Sequence, residues 1–284
     1  MRNDCAMGAT QLDFFQNKTV WITGASSGIG KALAIRLAQN GARLVLSGRD
    51  EAALHDVGAE CDATGTVAKP LICPFDMAEH TIFPDVVQHV LERKGGVDIL
   101  INNAGVGQRA AAIHCDPHVV HEIMNVNFFG PVFLTQALLP SMIRRGKGRI
   151  VVVSSVLGKS HLPGRSAYVA SKHALQGYFN TLRTELSQSG LGITIVCPGW
   201  IATHISQNAL TSTGSAFLRT TGVTSRKMSA DSCAHHIARA IATEKNEATM
   251  GGIEIWGGLV RFLCPHLYER IIQKRTGEFI YRTP

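Results

Sequence analysis

The sequence predicts an α/β architecture: a parallel sheet wound on both faces by helices. Three observations carry that prediction. Between residues 18 and 155, five short apolar runs, the fifth nearly all β-branched, alternate with stretches of helical period. A glycine-rich turn joins the first run to its helix. Residues able to bind or react then recur at the carboxyl end of run after run, where open parallel sheets hold their ligands.

The first run is Lys18 to Thr23, followed at once by Gly24-Ala-Ser-Ser-Gly28-Ile-Gly30. Residues 31–40 then place Leu33, Ile35, Leu37 and Ala38 near one helical face. Strand, glycine turn and helix form the context a dinucleotide fingerprint requires. Glycines let backbone approach a pyrophosphate, and the helix N-terminus offers unpaired N–H groups and a positive dipole end. The spacing is G-x-x-x-G-x-G rather than G-x-G-x-x-G.

Residues 42–47 form the second run, ending in Gly48-Arg49-Asp50. An acid at such a strand end would accept bonds from a ribose 2′-hydroxyl, whereas an arginine would bind a 2′-phosphate. Arg49 favours NADP(H) over NAD(H). Asp50 is the competing signal, but it falls in the first turn of the next helix, where an acid suits the dipole. The third run, Lys69 to Phe75, leads straight into Asp76, which is placed to accept from an adenine amino group or to cap a helix near Glu79. The fourth, Val97 to Ile101, runs into Asn102-Asn103-Ala104-Gly105. These amides can tie strand ends together, and the small residues leave room for a flat ring.

His114, His118 and His121, with Cys115 nearby, invite a metal reading. Asp116-Pro117 reads instead as an N-cap and first helical position, which separates His114 from the other two. No metal is expected. The fifth run, residues 148–155, ends in Ser154 and Ser155. The sixth is Ile193 to Cys197, closed by Pro198-Gly199-Trp200-Ile201-Ala202-Thr203. Residues 204–228 read as a loop over the active site, 229–243 as a helix and 252–256 as a last strand.

Between the fifth and sixth runs lies Ser166-Ala-Tyr168-Val-Ala-Ser-Lys172. On a helix Tyr168 and Lys172 share a face one turn apart. An ammonium beside a phenol pulls the phenol's pKa down from about 10, which suits a general acid/base. Ser155 stands thirteen residues ahead of Tyr168.

Taken together, T-G-A-S-S-G-I-G, N-N-A-G, Ser with Y-x-x-x-K, and P-G-W-I-A-T resemble the short-chain dehydrogenase/reductase family over roughly residues 16–257. The resemblance implies a Rossmann-type sheet of seven strands in the order 3-2-1-4-5-6-7, and NADP(H)-dependent hydride transfer between nicotinamide and a carbonyl or secondary alcohol (CH–OH). It assigns Ser155 to the substrate oxygen, Tyr168 to proton transfer, Lys172 to the nicotinamide ribose and to the tyrosine's acidity, and Asn127, in M-N-V-N-F-F-G, to a water relay. Gly24, Ser26, Ser27, Gly28, Ile29 and Gly30 would line the diphosphate, and Arg49 the 2′-phosphate. Asp76 and Met77 would meet the adenine. Asn103, Ala104 and Gly105 would flank the ribose and nicotinamide. Pro198, Gly199, Ile201 and Thr203 would fix the carboxamide. The family also implies a homodimer or homotetramer built on the long helices including residues 127–145 and 166–188. A non-catalytic NADP(H)-binding relative is the alternative; the intact Ser155, Tyr168, Lys172 and Asn127 set argues against it.

The remaining composition bounds the setting. The 284 residues suffice for one large domain, expected at 17–257 between a flexible leader, 1–16, and an extension, 258–284. The leader carries Asp4 and Asp13 and does not read as a secretory signal, and no apolar run approaches a spanning length. Seven scattered cysteines without a Cys-x-x-Cys pair suggest a reducing, cytoplasmic setting, with Cys73 and Cys197 as buried hydrophobes. The net charge of +7 is dispersed, and its one cluster, residues 144–149, reads as a solvated helix end rather than a nucleic-acid surface. The extension reads as a helix broken at Pro265 that covers a lipophilic substrate, packs on a sister subunit, or makes peripheral membrane contact through 258–274.

Overall fold

The computed structural model describes residues 13–65, 67–217 and 227–276. One parallel sheet runs through the molecule in the order β3-β2-β1-β4-β5-β6-β7. Its strands are β1 (Thr19–Thr23), β2 (Arg43–Ser47), β3 (Leu71–Ile72), β4 (Ile99–Asn102), β5 (Gly148–Val153), β6 (Leu191–Pro198) and β7 (Glu247–Met250). Every neighbouring pair is parallel, so each connection crosses a face. The seven-stranded doubly wound sheet is as expected, and the order reverses beside β1, where such sheets open a crevice at their carboxyl ends.

On one face lie α1 (Gly28–Gln39), α2 (Glu51–Asp62) and α7 (Ala230–Ala242), packed on Ile22, Leu44, Ile101 and Val151. The other face carries α3 (Phe83–Lys94), α5 (Gly130–Arg145) and α6 (Ser166–Glu185), over Trp21, Leu100, Ile150 and Ile195. Strand residues alternate between the two clusters with the period of two that a pleated strand imposes. Each fully buried Leu or Phe contributes about 1.5–3 kcal/mol.

Two stretches differ from expectation. The last strand is Glu247–Met250, and Ile253–Trp256 is a 3-10 turn instead. Residues 252–256 read as a strand, but Glu254 turns back to accept from the backbone N–H of Gly252 and of Trp200, which bends the chain out of the sheet. Second, a helical stretch, Pro117–Arg145, is long and apolar enough to cross a membrane by length and composition. It is interrupted by a π-turn at Asn125–Phe129, and half of its apolar window is buried against the sheet, as in a core helix.

The basic cluster sits at the amino ends of the strands, partly neutralised: Arg145 pairs with Asp98, and Arg149 with Glu244 at 3.0 Å. Residues 1–12 of the expected leader lie outside the described residues. Phe15 is fully buried in the core. The described part of the extension is two helices, α8 (Gly257–Leu263) and α9 (Pro265–Thr276), broken at Cys264 as the position of Pro265 suggested; residues 277–284 lie outside the described residues. Cys73 and Cys197 are buried, as expected.

Candidate active site

The glycine turn is shaped for close approach. Gly24 and Gly28 have φ of +65° and +55°, which side-chain-bearing residues rarely adopt. A Cβ on Gly30 would stand 2.0 Å from the Gly24 carbonyl oxygen, so α1 begins tight against β1. The Asn103 amide donates to the Thr23 and Gly24 carbonyls at 3.0 and 3.1 Å, while the Thr23 hydroxyl accepts from the N–H groups of Asn103 and Ala104. Ser27 caps α1 in an extended conformation and its side chain accepts nothing from the helix. Side chains therefore leave the first N–H groups of α1, from Gly28 to Gly30, open to an anion. The Thr203 side chain lies against Gly28 from the opposite wall.

At the edge of this turn Arg49 and Asp76 face each other, 3.8 Å apart. Asp50 caps α2, accepting from the Ala53 N–H at 3.0 Å, as its position in the sequence suggested. Asp76 caps no helix near Glu79. It closes a turn by accepting from the Ala78 N–H at 2.9 Å, and α3 starts only at Phe83. Met77 is buried beneath Gly130.

Ser155, Tyr168 and Lys172 come together at the end of β5. Ser155 lies just past the strand, extended, its hydroxyl accepting from the Leu157 N–H and hydrogen-bonded to the Tyr168 phenol. Lys172 stands one turn along α6 from Tyr168, its ammonium 5.7 Å from the phenol ring centre and donating to the Val153 carbonyl at 2.9 Å. Asn127 sits in the π-turn, where the widened backbone re-aims its side chain. Its amide oxygen accepts from the Val106 N–H, and its amide nitrogen donates to the Val106 carbonyl and the Ser171 hydroxyl. Gly105 lies between Asn127 and Lys172, where a Cβ would meet the Asn127 amide oxygen at 3.2 Å.

The electrostatics depart from the expected tuning. Burial pushes the Tyr168 phenol up; the Ser155 hydrogen bond and the Arg165 charge oppose that rise. Burial also brings Lys172 down to about 8. The cation one helical turn along, Lys172, is therefore not the one that counters burial of the phenol. The Ser155 hydrogen bond and Arg165, three residues ahead, do so.

A family model described as short chain dehydrogenase matches residues 18–213. The chain belongs to the short-chain dehydrogenase/reductase family. It is 41% identical over 273 residues to Dehydrogenase/reductase SDR family member 7B of Danio rerio, covering 93% of this chain and 88% of that one. A short-chain dehydrogenase of Burkholderia phymatum, solved with NAD, superposes with a TM-score of 0.80 at 26% identity, over 89% of this chain and 95% of that one. An alcohol dehydrogenase of Thermococcus sibiricus, solved with 5-hydroxy-NADP, shares the fold with a TM-score of 0.71 at 24% identity, covering 84% and 98%. The chain is thus an oxidoreductase by family, of a kind that binds a nicotinamide cofactor.

Three contributors to this dehydrogenase's site were not legible in its sequence. Gln108, fully buried, accepts from the Ala167 and Tyr168 N–H groups at 2.8 and 3.2 Å and so caps the start of α6. Glu254 accepts from the Trp200 N–H at 2.8 Å and pins the Pro198–Thr203 segment. Ile255 packs on the cluster of Val156, Leu157 and Tyr168. Each lies fifty or more residues from its partner, with no motif to announce it. The loop expected over the site is described only to Phe217, where Leu210 packs beside Ala167; residues 218–226 lie outside the described residues. Asp116 caps α4 (Pro117–Met124) as expected and pairs with His118 at 2.7 Å.

Proposed function

We propose that the protein is an NADP(H)-dependent oxidoreductase that interconverts a carbonyl group and a secondary alcohol, its natural substrate a lipophilic ketone. One observation carries this reading. The Ser155 hydroxyl and Tyr168 phenol are hydrogen-bonded to each other past the end of β5, on the same carboxyl side of the sheet as the glycine turn of α1. Such a pair is two donors aimed at one oxygen.

The residues present fit a nicotinamide dinucleotide. The α1 N–H groups and Gly24, Ser26, Ser27, Gly28, Ile29 and Gly30 would hold its diphosphate. Arg49 would hold a 2′-phosphate, and Asp76 with Met77 the adenine end. Asn103, Ala104, Gly105 and Lys172 would hold the nicotinamide ribose side, and Pro198, Gly199, Ile201 and Thr203 the carboxamide. Bound there, the cofactor supplies or takes the hydride. Ser155 and Tyr168 donate hydrogen bonds to the carbonyl oxygen as charge develops on it, and Tyr168 delivers the proton. A phenol held protonated by burial suits the donor role in reduction. Lys172, together with Asn127 and its ordered neighbours, returns a proton to the phenol.

Oxidation of NADPH and NADH against a panel of steroid, retinoid, 3-ketoacyl, sphingoid and sugar carbonyls tests this reading. Consumption of NADPH with at least one ketone is expected, and none with any of them would overturn it.

The same reading makes the protein a cytoplasmic homo-oligomer whose α5 and α6 faces pair, with exposed Phe129 and Phe133 on α5's side. The extension supports peripheral membrane contact. Phe262 is 83% exposed and stands among exposed Leu259, Leu263 and Leu267, with Arg261 and Arg270 beside them. Co-sedimentation with anionic liposomes is expected, and a chain that stays in the supernatant at every lipid composition would remove it.

A further inference from the structure

Arg165 immediately precedes α6, three positions ahead of Tyr168, and is only 7% exposed. Its guanidinium carbon lies 5.6 Å from the centre of the Trp200 ring. The charged groups that face it are Arg109 and the Tyr168 phenol, and among the described residues no carboxylate pairs with it. Arg109 adds a second guanidinium, 5.2 Å from the Phe217 ring centre. Burial lowers the pKa of both, that of Arg165 to about 10.

A buried cation without a counter-charge is costly, and a like charge beside it makes it more so. Among the described residues no acid relieves it. The described segments that frame the substrate side, residues 105–115, 156–168 and 198–217, contain no Asp or Glu, yet hold Arg109 and Arg165, while Lys159 pairs with Glu247. The next acid along, Asp231, pairs with Arg36 at 2.8 Å on the far side of α1. Glu254 has one carboxylate oxygen bound to the Trp200 and Gly252 N–H groups. A cofactor diphosphate has its own cradle at the start of α1, and a 2′-phosphate has Arg49.

We infer that the substrate supplies the missing charge: it is a carbonyl compound that also bears a carboxylate or phosphate, whose anion seats on Arg165 beside Trp200 while its carbonyl meets Ser155 and Tyr168. This rests on the reading of Ser155 and Tyr168 as a carbonyl site, and narrows it. Arginine suits the task because its planar fork pairs bidentately with either anion. Trp200 lies beside Arg165 and Phe217 beside Arg109, so an apolar body between the two polar ends suits the substrate.

The test uses three ketones of one chain length, ending in a carboxylate, a phosphate monoester or a methyl ester. Turnover is measured with both NADPH and NADH. For the wild type, kcat/KM for at least one anion should exceed that for the ester by about tenfold to a hundredfold, as a charge-assisted pair implies. Arg165→Met should erase the preference through KM, over and above any change in turnover shared by all three ketones through Tyr168, and Arg165→Lys should restore part of it. The ratio of the two anions says which one the site takes. A second readout needs no turnover: the matching hydroxy-carboxylate or hydroxy-phosphate should raise the melting temperature of the wild type but not of Arg165→Met. An ester reduced as well as both anions, an Arg165→Met loss equal on all three ketones, or no thermal shift from either anion would overturn the inference. If only neutral ketones are reduced, the carbonyl reading survives and the anion site does not.

Discussion

The Lys172 ammonium donates to the Val153 carbonyl across 2.9 Å, at the end of the strand that leads to Ser155. That bond holds the lysine beneath Tyr168, but no carboxylate shares its buried position, and burial lowers its pKa to about 8. The folded protein therefore holds this proton less tightly than the unfolded chain, whose lysine titrates near 10.5. Below pH 8 the full penalty applies, about 3 kcal/mol, and it fades as pH rises towards 10.5. Replacing Lys172 by Met removes the penalty and forfeits a hydrogen bond of about 1 kcal/mol. At pH 7 the variant should be more stable by about 2 kcal/mol, with the gain shrinking near pH 10, while turnover is lost. Urea unfolding of the cofactor-free protein at both values checks this, and a variant less stable at pH 7 would contradict it.

Tyr168→Phe keeps the ring in its buried seat but removes the proton and one donor. Turnover should drop by a hundredfold or more. NADPH affinity, measured by fluorescence titration, should change less than threefold or so, since the phenol is one contact among many. Substantial residual turnover would move the acid/base role elsewhere.

Arg49 and Asp76 face each other at the adenine end. Arg49→Ala should raise the KM for NADPH by about tenfold or more and leave that for NADH nearly unchanged, because only the former has a phosphate to lose. Equal effects on both cofactors would make Arg49 merely the partner of Asp76.

Gln108→Ala would strip two buried N–H groups, those of Ala167 and Tyr168, of their acceptor. A loss of about 2 kcal/mol or more is expected in denaturant melts, with a fall in kcat as α6 loosens at its first turn. Gln108→Glu should restore both in part, since a carboxylate accepts the same bonds and suits a helix N-terminus. Unchanged stability in the alanine variant would show that water replaces the cap.

In the reduction direction a buried, protonated Tyr168 keeps donating as pH rises. Oxidation needs the phenolate and should climb steadily toward alkaline pH. Initial rates in both directions between pH 6 and 10 check this, and an oxidation rate that peaks below pH 7 would mean the phenol is acidic after all.

What the sequence by itself determined is what short-range physics can encode. The alternation of β-branched runs with helical periods specifies a doubly wound sheet, and the glycines at 24, 28 and 30 specify a turn only such residues can make. Ser155, Tyr168 and Lys172 were legible because a helix puts residues four apart on one face and a strand end fixes where the next loop starts. Only the tertiary structure decided the rest. Residues 252–256 lie outside the sheet, where Glu254 accepts from the nearby Gly252 N–H and from the Trp200 N–H across the fold. Gln108 became the cap of α6 from some sixty residues away. The phenol's acidity turned on how deeply it is buried, on Ser155 and on Arg165, rather than on Lys172 one turn along. Burial and long-range charge depend on which surfaces meet in three dimensions, and no spacing along the chain records that.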